Sequence, residues 1–426
     1  MAYLAIMKSA ARLAAALILL AGCGPALAAP DDFQSWLKGV WPDAQKIGVS
    51  RRGFDAATAG LRPDLGLPDL AQATQGKPNK AQAEFLRPAG AYLDEGALSG
   101  LAANGARLSV RWADTLKKIE GSYGVPGNIL LAIFGRETDF GAEHPKHSVI
   151  QVIATEAFAG RRKEYFREQL IWALKMVDDK DVAPEDFKGS WAGAFGLTQF
   201  MPTGFRDYAV DFDGDGKKDV WNSVPDALAT SAVELSKAVD RDGTPVGWKP
   251  GMRWGYEVRK PAKGLDCTAA GFDRPKALGD WLKAGFARAH GKPIPTARLA
   301  DKSYLLLPEG SAGPAFLVTD NFLALKAYNY ADLYALFVGH LADRIAGEGP
   351  FETPWAEATH LTEAAIFEQQ KRLVGLGYDV GKVDGKIGWK MRIALGEFEK
   401  SHNLPVNCYP SEADAKVLGR QAAKLP

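Results

Sequence analysis

The feature that most constrains the fold of this chain is one strongly apolar helical segment, residues 126–141. Leu130, Ile133 and Phe134 share a helical face there, and Glu137 lies on the same face near the end of the segment. A helix with this face must be buried, and a carboxyl at its end loses part of its water. Desolvation raises a carboxyl pKa towards the range that a general acid needs at neutral pH. Glu137 is therefore a candidate catalytic acid/base; a hydrated, outward-turned Glu137 is the alternative.

This segment offers no second acid on the face of Glu137. Asp139 follows two residues later, and residues two apart on a helix point to different faces. Glycoside hydrolases usually work with a pair of carboxylates. A single well-placed acid instead favours a reaction in which a group of the substrate replaces the second carboxylate.

A second block, residues 189–205, combines small residues with an amide. Glycine, alanine and Ser190 precede Gln199, and Pro202 ends the run. Small residues let the backbone approach a ligand closely, and a glutamine amide both donates and accepts hydrogen bonds. Ser190 and Gln199 are therefore candidate substrate-binding residues, although a plain glycine-rich turn has the same pattern.

Residues 211–222 have the spacing of a calcium-binding loop, with acids at positions 1, 3, 5 and 9 and a glycine at position 6. The last position, where a bidentate Glu is usual, is Asn222, and Asp226 just beyond it offers a replacement carboxylate. The predicted ligands of one structural Ca²⁺ are Asp211, Asp213, Asp215, the carbonyl of Lys217, Asp219 and Asp226. An acidic surface turn is the alternative. No motif indicates an organic cofactor.

The hydrophobic periodicity predicts a mainly α (α+β) fold with a small β insert. The predicted helices include 33–40, 54–61, 81–93, 108–123 and 332–345. The predicted strands, bounded by Gly and Pro, are 254–258, 304–307 and 315–318.

Two domains are predicted, joined by a linker rich in Gly and Pro at 347–357. The larger domain covers 31–346. The smaller covers 358–421, where helices 364–376 and 391–402 are separated by Gly-Tyr and Asp-Gly turns.

The N-terminus has the layout of a secretory signal. Lys8 and Arg12 precede a short apolar run that is too short for a stable transmembrane helix. The run ends in Leu20-Ala21-Gly22-Cys23, which resembles a lipoprotein signal. This likeness implies that residues 1–22 are removed and that Cys23 carries a lipid anchor.

A lipidated Cys23 would place the protein on a membrane of the cell envelope. Gly24 stands where Asp commonly retains such proteins at the inner membrane, which favours the outer membrane. The alternative is cleavage after Ala28, which leaves a soluble periplasmic protein.

With Cys23 lipidated or removed, two cysteines remain, Cys267 and Cys408, in different predicted domains. A disulfide between them is one possibility, but we expect two free thiols and a fold that does not depend on a disulfide framework. Lys and Arg number 52 and Asp and Glu 51, so no basic surface indicates nucleic acid as a partner.

Taken together, these blocks resemble the membrane-bound lytic murein transglycosylase B family. The matching residues are Gly135-Arg-Glu137-Thr138, Ser190 to Pro202, the calcium loop, and the late block of Tyr328-Asn329 with Tyr334. The resemblance implies a lysozyme-like helical catalytic domain and peptidoglycan glycan strands as substrate. It makes Glu137 the acid/base, and Ser190, Gln199, Tyr328, Asn329 and Tyr334 the groups that bind sugar or orient the carboxyl.

In this family the bond between N-acetylmuramic acid (MurNAc) and N-acetylglucosamine (GlcNAc) is cleaved without water, which leaves a 1,6-anhydro end. Two alternatives remain open: a catalytically silent peptidoglycan-binding scaffold and a hydrolytic muramidase. Residues 358–421 resemble a small three-helix peptidoglycan-binding module, on the pattern of Gln370, Gly377-Tyr378 and Asp384-Gly385. Trp389 and Met391 stand where Pro and Thr are more usual in that module.

Overall fold

The computed structural model of the protein describes residues 30–68, 70, 88–290, 293–356 and 361–423. The predicted signal segment with Cys23, and part of the helix predicted over 81–93, lie outside the described residues. Within the described ranges, no helix is long and apolar enough to cross a membrane.

The larger domain is built mainly from helices, as predicted. They are α1 (Pro30–Lys38), α2 (Trp41–Lys46), α3 (Arg51–Thr58), α4 (Ala89–Tyr92), α5 (Glu95–Arg111), α6 (Ala113–Tyr123), α7 (Gly127–Thr138), α8 (Val149–Ala159), α9 (Lys163–Asp178), α10 (Pro202–Tyr208), α11 (Val224–Ser236), α12 (Leu278–Lys283), α13 (Asp320–Tyr328) and α14 (Asp332–Ile345).

Helix α7 forms the centre of the core, as its apolar sequence predicts. Residues 129–134 are each at most 3% exposed, and α7 packs against α5 and α14. Each large apolar side chain buried in this way contributes about 1.5–3 kcal/mol to stability. The helix ends where Asp139 adopts a left-handed backbone conformation with φ of 48°. The segment that carries Glu137 therefore has little freedom to shift.

The predicted β insert is a five-stranded antiparallel sheet. A separate short pair, β1 (His147–Ser148) and β2 (Lys188–Gly189), joins the loops that follow α7 and α9. The strands of the sheet are β3 (Gly255–Arg259), β4 (Lys276–Ala277), β5 (Ala287–Arg288), β6 (Lys302–Leu306) and β7 (Ala315–Thr319). They lie side by side in the order β4-β6-β7-β3-β5. Strand β7 leads directly into α13, whose first turn is capped by the Thr319 side chain. The sheet thereby anchors the helix that ends at Tyr328.

The smaller domain consists of α15 (Glu363–Gly375), α16 (Trp389–Ser401) and α17 (Glu412–Ala422), with its own apolar core. It is fixed to the larger domain by polar contacts at α16. The Arg392 guanidinium lies 2.9 Å from the Asp332 carboxylate, and both side chains are largely buried. Lys400 Nζ lies 2.6 Å from Asp266 Oδ1.

The expectation of two free thiols is wrong. Cys267 and Cys408 form a disulfide, with their Cα atoms 6.1 Å apart and the two cysteines 141 positions apart in sequence. The cause is domain docking: α16 packs against the 3₁₀ turn Cys267–Ala269, which brings two buried cysteines together. A contact across a domain boundary leaves no trace in cysteine spacing.

The predicted linker is packed against the larger domain. The Phe351 ring stacks on His340 with their centroids 3.6 Å apart, and it contacts Phe316 at 4.9 Å. The Glu257 carboxylate accepts hydrogen bonds from the backbone N–H groups of Glu352 and Thr353 at 2.9 and 2.8 Å. Residues 351–353 are therefore held in place and do not form a free spacer. The predicted domain boundaries themselves stay a prediction.

Candidate active site

Glu137 lies in the last turn of α7 with its side chain partly exposed. The next residue, Thr138, is buried, and its hydroxyl donates a hydrogen bond of 2.6 Å to the carbonyl of Leu197. This bond ties the end of α7 to the loop that carries Gln199. The core helix thus presents one carboxyl at the rim of the core, as the sequence predicts.

Two tyrosines from the end of the larger domain hold the Glu137 carboxyl. The buried Tyr334 donates a hydrogen bond from its hydroxyl to Glu137 Oε1. The Tyr328 ring lies parallel to that of Tyr334, with centroids 6.5 Å apart and planes 4° apart. Tyr328 in turn donates to the carbonyl of Thr198 at 2.6 Å. The structure therefore brings three predicted site residues together: a hydrogen bond joins Tyr334 to Glu137, and a ring contact joins Tyr334 to Tyr328.

Both tyrosines stay protonated at physiological pH. Burial raises the pKa of Tyr334 well above its ordinary value, and the negative charge of Glu137 acts in the same direction. Burial likewise raises the pKa of Tyr328, with smaller contributions from the charges of Glu234 and Glu137. The protonated Tyr334 hydroxyl donates its hydrogen bond to Glu137 Oε1, and this bond favours the negative charge of the carboxylate.

Gln199 sits on a strained loop beside this assembly. Its φ is 61°, in the left-handed region that side-chain-bearing residues rarely adopt, and its amide donates to the Gly196 carbonyl at 2.9 Å. Gly196 also has a positive φ, and a Cβ there would lie 2.8 Å from the Val220 carbonyl oxygen. Only glycine fits at that position.

The remaining predicted sugar-binding residues stabilise their own loops. Ser190 Oγ accepts hydrogen bonds from the backbone N–H groups of Ala192 and Ala194 at 3.3 and 3.2 Å. Asn329 Oδ1 accepts from the N–H of Ala331 at 3.2 Å. Their predicted contacts with sugar stay a prediction.

A second carboxyl, Glu234 of α11, lies near Glu137 and was missed by the sequence reasoning. Burial raises the pKa of Glu234 to about 8, and the negative charge of Glu137 adds to the rise. Nothing around Glu234 forms a motif; its only signal is its place one turn after Ser231, whose hydroxyl lies 3.4 Å from that of Tyr328. Glu137 therefore has a second carboxyl near it, which comes from a different helix.

The structure brings together three of the predicted calcium ligands. One carboxylate oxygen each of Asp211, Asp213 and Asp226 lies within 4.8 Å of the others, and Asp226 is fully buried. Asp219 instead accepts hydrogen bonds from the backbone N–H groups of Trp221 and Asn222. Asp215 lies outside the three-residue cluster, with its carboxylate on the Lys217 N–H.

The three clustered carboxylates fit a hard cation. Burial raises the pKa of Asp226, even though the backbone N–H groups of Phe212, Asp213 and Asp219 donate hydrogen bonds to its carboxylate. Carboxylate oxygens converging in a tight loop are the ligands that Ca²⁺ prefers.

Comparison with known proteins matches both domains. Residues 32–343 match the family described as "Transglycosylase SLT domain", and residues 362–414 match "Putative peptidoglycan binding domain". Over 250 residues the chain is 32% identical to membrane-bound lytic murein transglycosylase B of Escherichia coli K12. That alignment spans 57% of this chain and 63% of the Escherichia coli protein.

Solved structures show the same relationship. SltB3 from Pseudomonas aeruginosa, solved in complex with NAG-anhNAM-pentapeptide, is 38% identical, with a TM-score of 0.80. The match covers 91% of this chain and 99% of SltB3. Slt35 from Escherichia coli, solved in complex with calcium, is 25% identical with a TM-score of 0.57, over 76% of this chain and 95% of that chain. The lysozyme-like fold and the resemblance seen in the sequence are confirmed, and the chain belongs to the SLT transglycosylase domain family.

Proposed function

We propose that the protein is a peptidoglycan lytic transglycosylase that cleaves the β-1,4 bond between MurNAc and GlcNAc and leaves a 1,6-anhydro-muramoyl end. The observation that carries the proposal is the Glu137 carboxyl, held by the buried Tyr334 at the end of the core helix. Family membership and the peptidoglycan fragments named with the SltB3 structures support the substrate.

In this reaction Glu137 acts twice. Its carboxyl first gives a proton to the glycosidic oxygen as the bond to the muramoyl C1 breaks. The resulting carboxylate is stabilised by the hydrogen bond from Tyr334. It then takes the proton from the muramoyl C6 hydroxyl while O6 forms its bond to C1. The proton returns to Glu137, no water is consumed, and the ring closes as the anhydro sugar.

The protonation state of Glu234 favours this route over hydrolysis by an inverting muramidase. An inverting hydrolase needs a second, ionised carboxylate to activate a water molecule. With its pKa raised to about 8 by burial, Glu234 is mostly neutral at pH 7. A neutral carboxyl cannot take a proton from water, so Glu234 is poorly suited to be the base of an inverting hydrolase.

Replacing the acid tests the assignment directly. Glu137→Gln keeps the side-chain shape but cannot transfer a proton, so release of muropeptides from sacculi should fall at least 10²–10⁴-fold, the usual order for loss of a general acid. Glu120→Ala, at an exposed glutamate of α6, is the matched control and should keep full activity. Near wild-type turnover by Glu137→Gln would remove Glu137 from the mechanism.

The loop at 211–226 is proposed to hold one structural Ca²⁺. The converging carboxylates of Asp211, Asp213 and Asp226 support this, and the calcium complex of Slt35 shows that a related fold accepts the ion. A bound cation would offset the repulsion among these carboxylates and link the loop to the first turn of α11. Its role here is structural, because none of these carboxylates belongs to the assembly around Glu137.

The protein is also proposed to act in the cell envelope as a lipoprotein. Peptidoglycan-acting relatives support the compartment, and the Leu20-Ala21-Gly22-Cys23 tetrad supports a lipid anchor at Cys23 on the outer membrane. Mass spectrometry of the N-terminal peptide distinguishes the alternatives. A lipidated Cys23 is the expected result, and an unmodified peptide beginning at Ala29 would contradict it.

A further inference from the structure

Arg136 lies in the last turn of α7, next to Glu137, and its guanidinium is held between two aromatic rings. The guanidinium carbon lies 5.1 Å from the centroid of the Tyr92 ring and 5.1 Å from that of the Phe337 ring. Its Nε and Nη2 atoms donate hydrogen bonds to the Tyr92 hydroxyl at 3.2 and 2.9 Å. The two rings also contact each other, with centroids 5.8 Å apart. Helices α4, α7 and α14 therefore meet at this side chain.

This cluster lies one turn of α14 away from the tyrosine that binds Glu137. Phe337 follows Tyr334 by three positions, and residues three apart share one face of a helix. The contacts of Arg136 and the hydrogen bond from Tyr334 to Glu137 Oε1 therefore join the same two helices within one turn. A planar guanidinium that both donates hydrogen bonds and stacks on rings restricts the distance and the orientation of its partners. Arg136 thus holds the end of α7 against α14 where the carboxyl meets its donor.

The charge of Arg136 acts on the same carboxyl. Glu137 lies near the C-terminal end of α7, where the helix dipole is negative and disfavours a carboxylate. A cation in the same turn offsets that effect. Burial opposes the charge of Arg136, but its interactions with Tyr92 and Glu137 favour the charge, and the pKa of Arg136 lies above its usual value. The hydroxyl and the two rings that hold the guanidinium are neutral, so they do not cancel its charge.

Three further titratable groups face the Glu137 carboxyl. They are Glu234 of α11, Tyr328 of α13 and Tyr334 of α14. None of these three is a cation, and an ionised Glu234 would oppose a second negative charge on Glu137. Arg136 therefore supplies positive charge that these three groups do not.

We infer that Arg136 is a positioning residue for the proposed reaction: it holds Glu137 against Tyr334 and favours the carboxylate that forms when the glycosidic oxygen takes the proton. The inference rests on the proposed function, because that negative charge develops in the first proton transfer. The proton leaves Glu137 as the bond to the muramoyl C1 breaks, and it returns from the C6 hydroxyl as O6 bonds to C1. Arg136 exchanges no proton and acts through Glu137 and Tyr334.

The pH profile of kcat on soluble, uncross-linked peptidoglycan strands tests this role. Glu137 starts the reaction protonated, so kcat falls at high pH as this carboxyl ionises. Arg136→Gln removes a nearby cation, which raises the carboxyl pKa, so the alkaline limb of the profile should move up by about 0.5–1 pH unit. Below the limb, kcat should fall about three- to tenfold because the acid is weaker, while KM stays within about twofold.

Three other variants separate charge from packing. Arg136→Lys keeps the charge, so its alkaline limb should coincide with that of the wild type. Tyr92→Phe removes the oxygen that accepts both N–H groups but leaves the charge, so it should lower kcat without moving the limb. Arg111→Gln is the matched control, because the Arg111 guanidinium also lies over an aromatic ring, that of Trp112 at 5.4 Å, but is exposed at the end of α5. Its loss should change neither kcat nor the limb.

A wild-type kcat and limb in Arg136→Gln would overturn the inference and leave the proposed function intact. Equal losses of kcat in Arg136→Gln and Arg136→Lys, with the limb unmoved in both, would show a merely structural role and would also overturn it. If circular dichroism shows that Arg136→Gln does not fold, the other two variants decide: a displaced limb in Arg136→Lys, or unchanged kcat in Tyr92→Phe, would contradict the inference. A wild-type protein that releases no anhydro product would instead remove the proposed function.

Discussion

Removing the disulfide between Cys267 and Cys408 should lower the stability of the protein and let the two domains unfold in separate transitions. The change is the double variant Cys267→Ser/Cys408→Ser, which keeps the size of both side chains. The bond closes a loop of 141 residues, and the chain-entropy relation for a loop of that length gives about 5 kcal/mol of stabilisation. This is an upper figure, because the unfolded chain is more compact than a random coil.

The domains should still dock in the variant, since Arg392–Asp332 and Lys400–Asp266 remain. Docking without the cross-link is weaker, so the smaller domain should come away from the larger one before the rest unfolds. Urea unfolding followed by tryptophan fluorescence should show two transitions in the variant. The oxidised wild type should show one transition at higher urea, because each domain supports the other.

Reductant provides the internal control. It should move the wild type to the profile of the double variant and should leave the double variant unchanged. Superimposable urea profiles for the oxidised wild type and the double variant would show that the cross-link adds nothing, and the reasoning would fail.

Three further predictions follow from single sites. Calcium at about 100 times its Kd should stabilise metal-stripped protein by about 2.7 kcal/mol, and Asp213→Ala should abolish the shift in Tm between calcium and chelator; equal Tm values in the wild type would refute the site. Arg392→Ala should cost about 1.5–3 kcal/mol in urea unfolding, because Asp332 loses one charged hydrogen bond but keeps its ion pair with Lys326, while Arg420→Ala on the exposed face of α17 should cost almost nothing. Glu234 has a pKa of about 8 when folded against 4.5 ordinarily, so its favourable contribution is complete below pH 4.5 and is lost as pH rises to about 8. The Tm of Glu234→Gln should therefore exceed that of the wild type at pH 8 and converge with it at pH 4.5, and a constant difference would contradict the raised pKa.

The sequence predicted those parts of the fold that depend on local pattern. The apolar stripe of 126–141 became the core helix α7, and the three predicted strands are β3, β6 and β7. The helix predicted over 108–123 is instead two helices that meet at Trp112, where φ is −104°. No Gly or Pro marks that break, so tertiary packing decides it.

The features that the sequence did not predict arise from contacts between distant segments. The partners of the disulfide are brought together only when α16 docks on the turn at Cys267. Glu234 gains its raised pKa from burial and from the proximity of Glu137, which lies 97 positions earlier in the sequence. The position of Glu137 at the rim of the core, by contrast, was predictable because it follows from the periodicity of its own helix.

The arrangement of the acidic loop at 211–226 was predictable only in part. The structure places one carboxylate oxygen each of Asp211, Asp213 and Asp226 within 4.8 Å of the others, although Asp226 lies beyond the twelve-residue pattern; that they bind Ca²⁺ stays a prediction. Asp219 was predicted on spacing alone, but its carboxylate accepts N–H groups at the start of the next turn. Competition between a metal site and local capping depends on side-chain geometry, which spacing does not encode.

The most direct test of the account is the mass of the products released from purified sacculi. Cleavage by Glu137 with the C6 hydroxyl as nucleophile predicts muropeptides with 1,6-anhydro ends, each one water lighter than the hydrolysis product. The Glu137→Gln protein run in parallel should release neither form. Products that carry the added water, with reducing ends that label with ¹⁸O from the solvent, would contradict the account and identify a hydrolase.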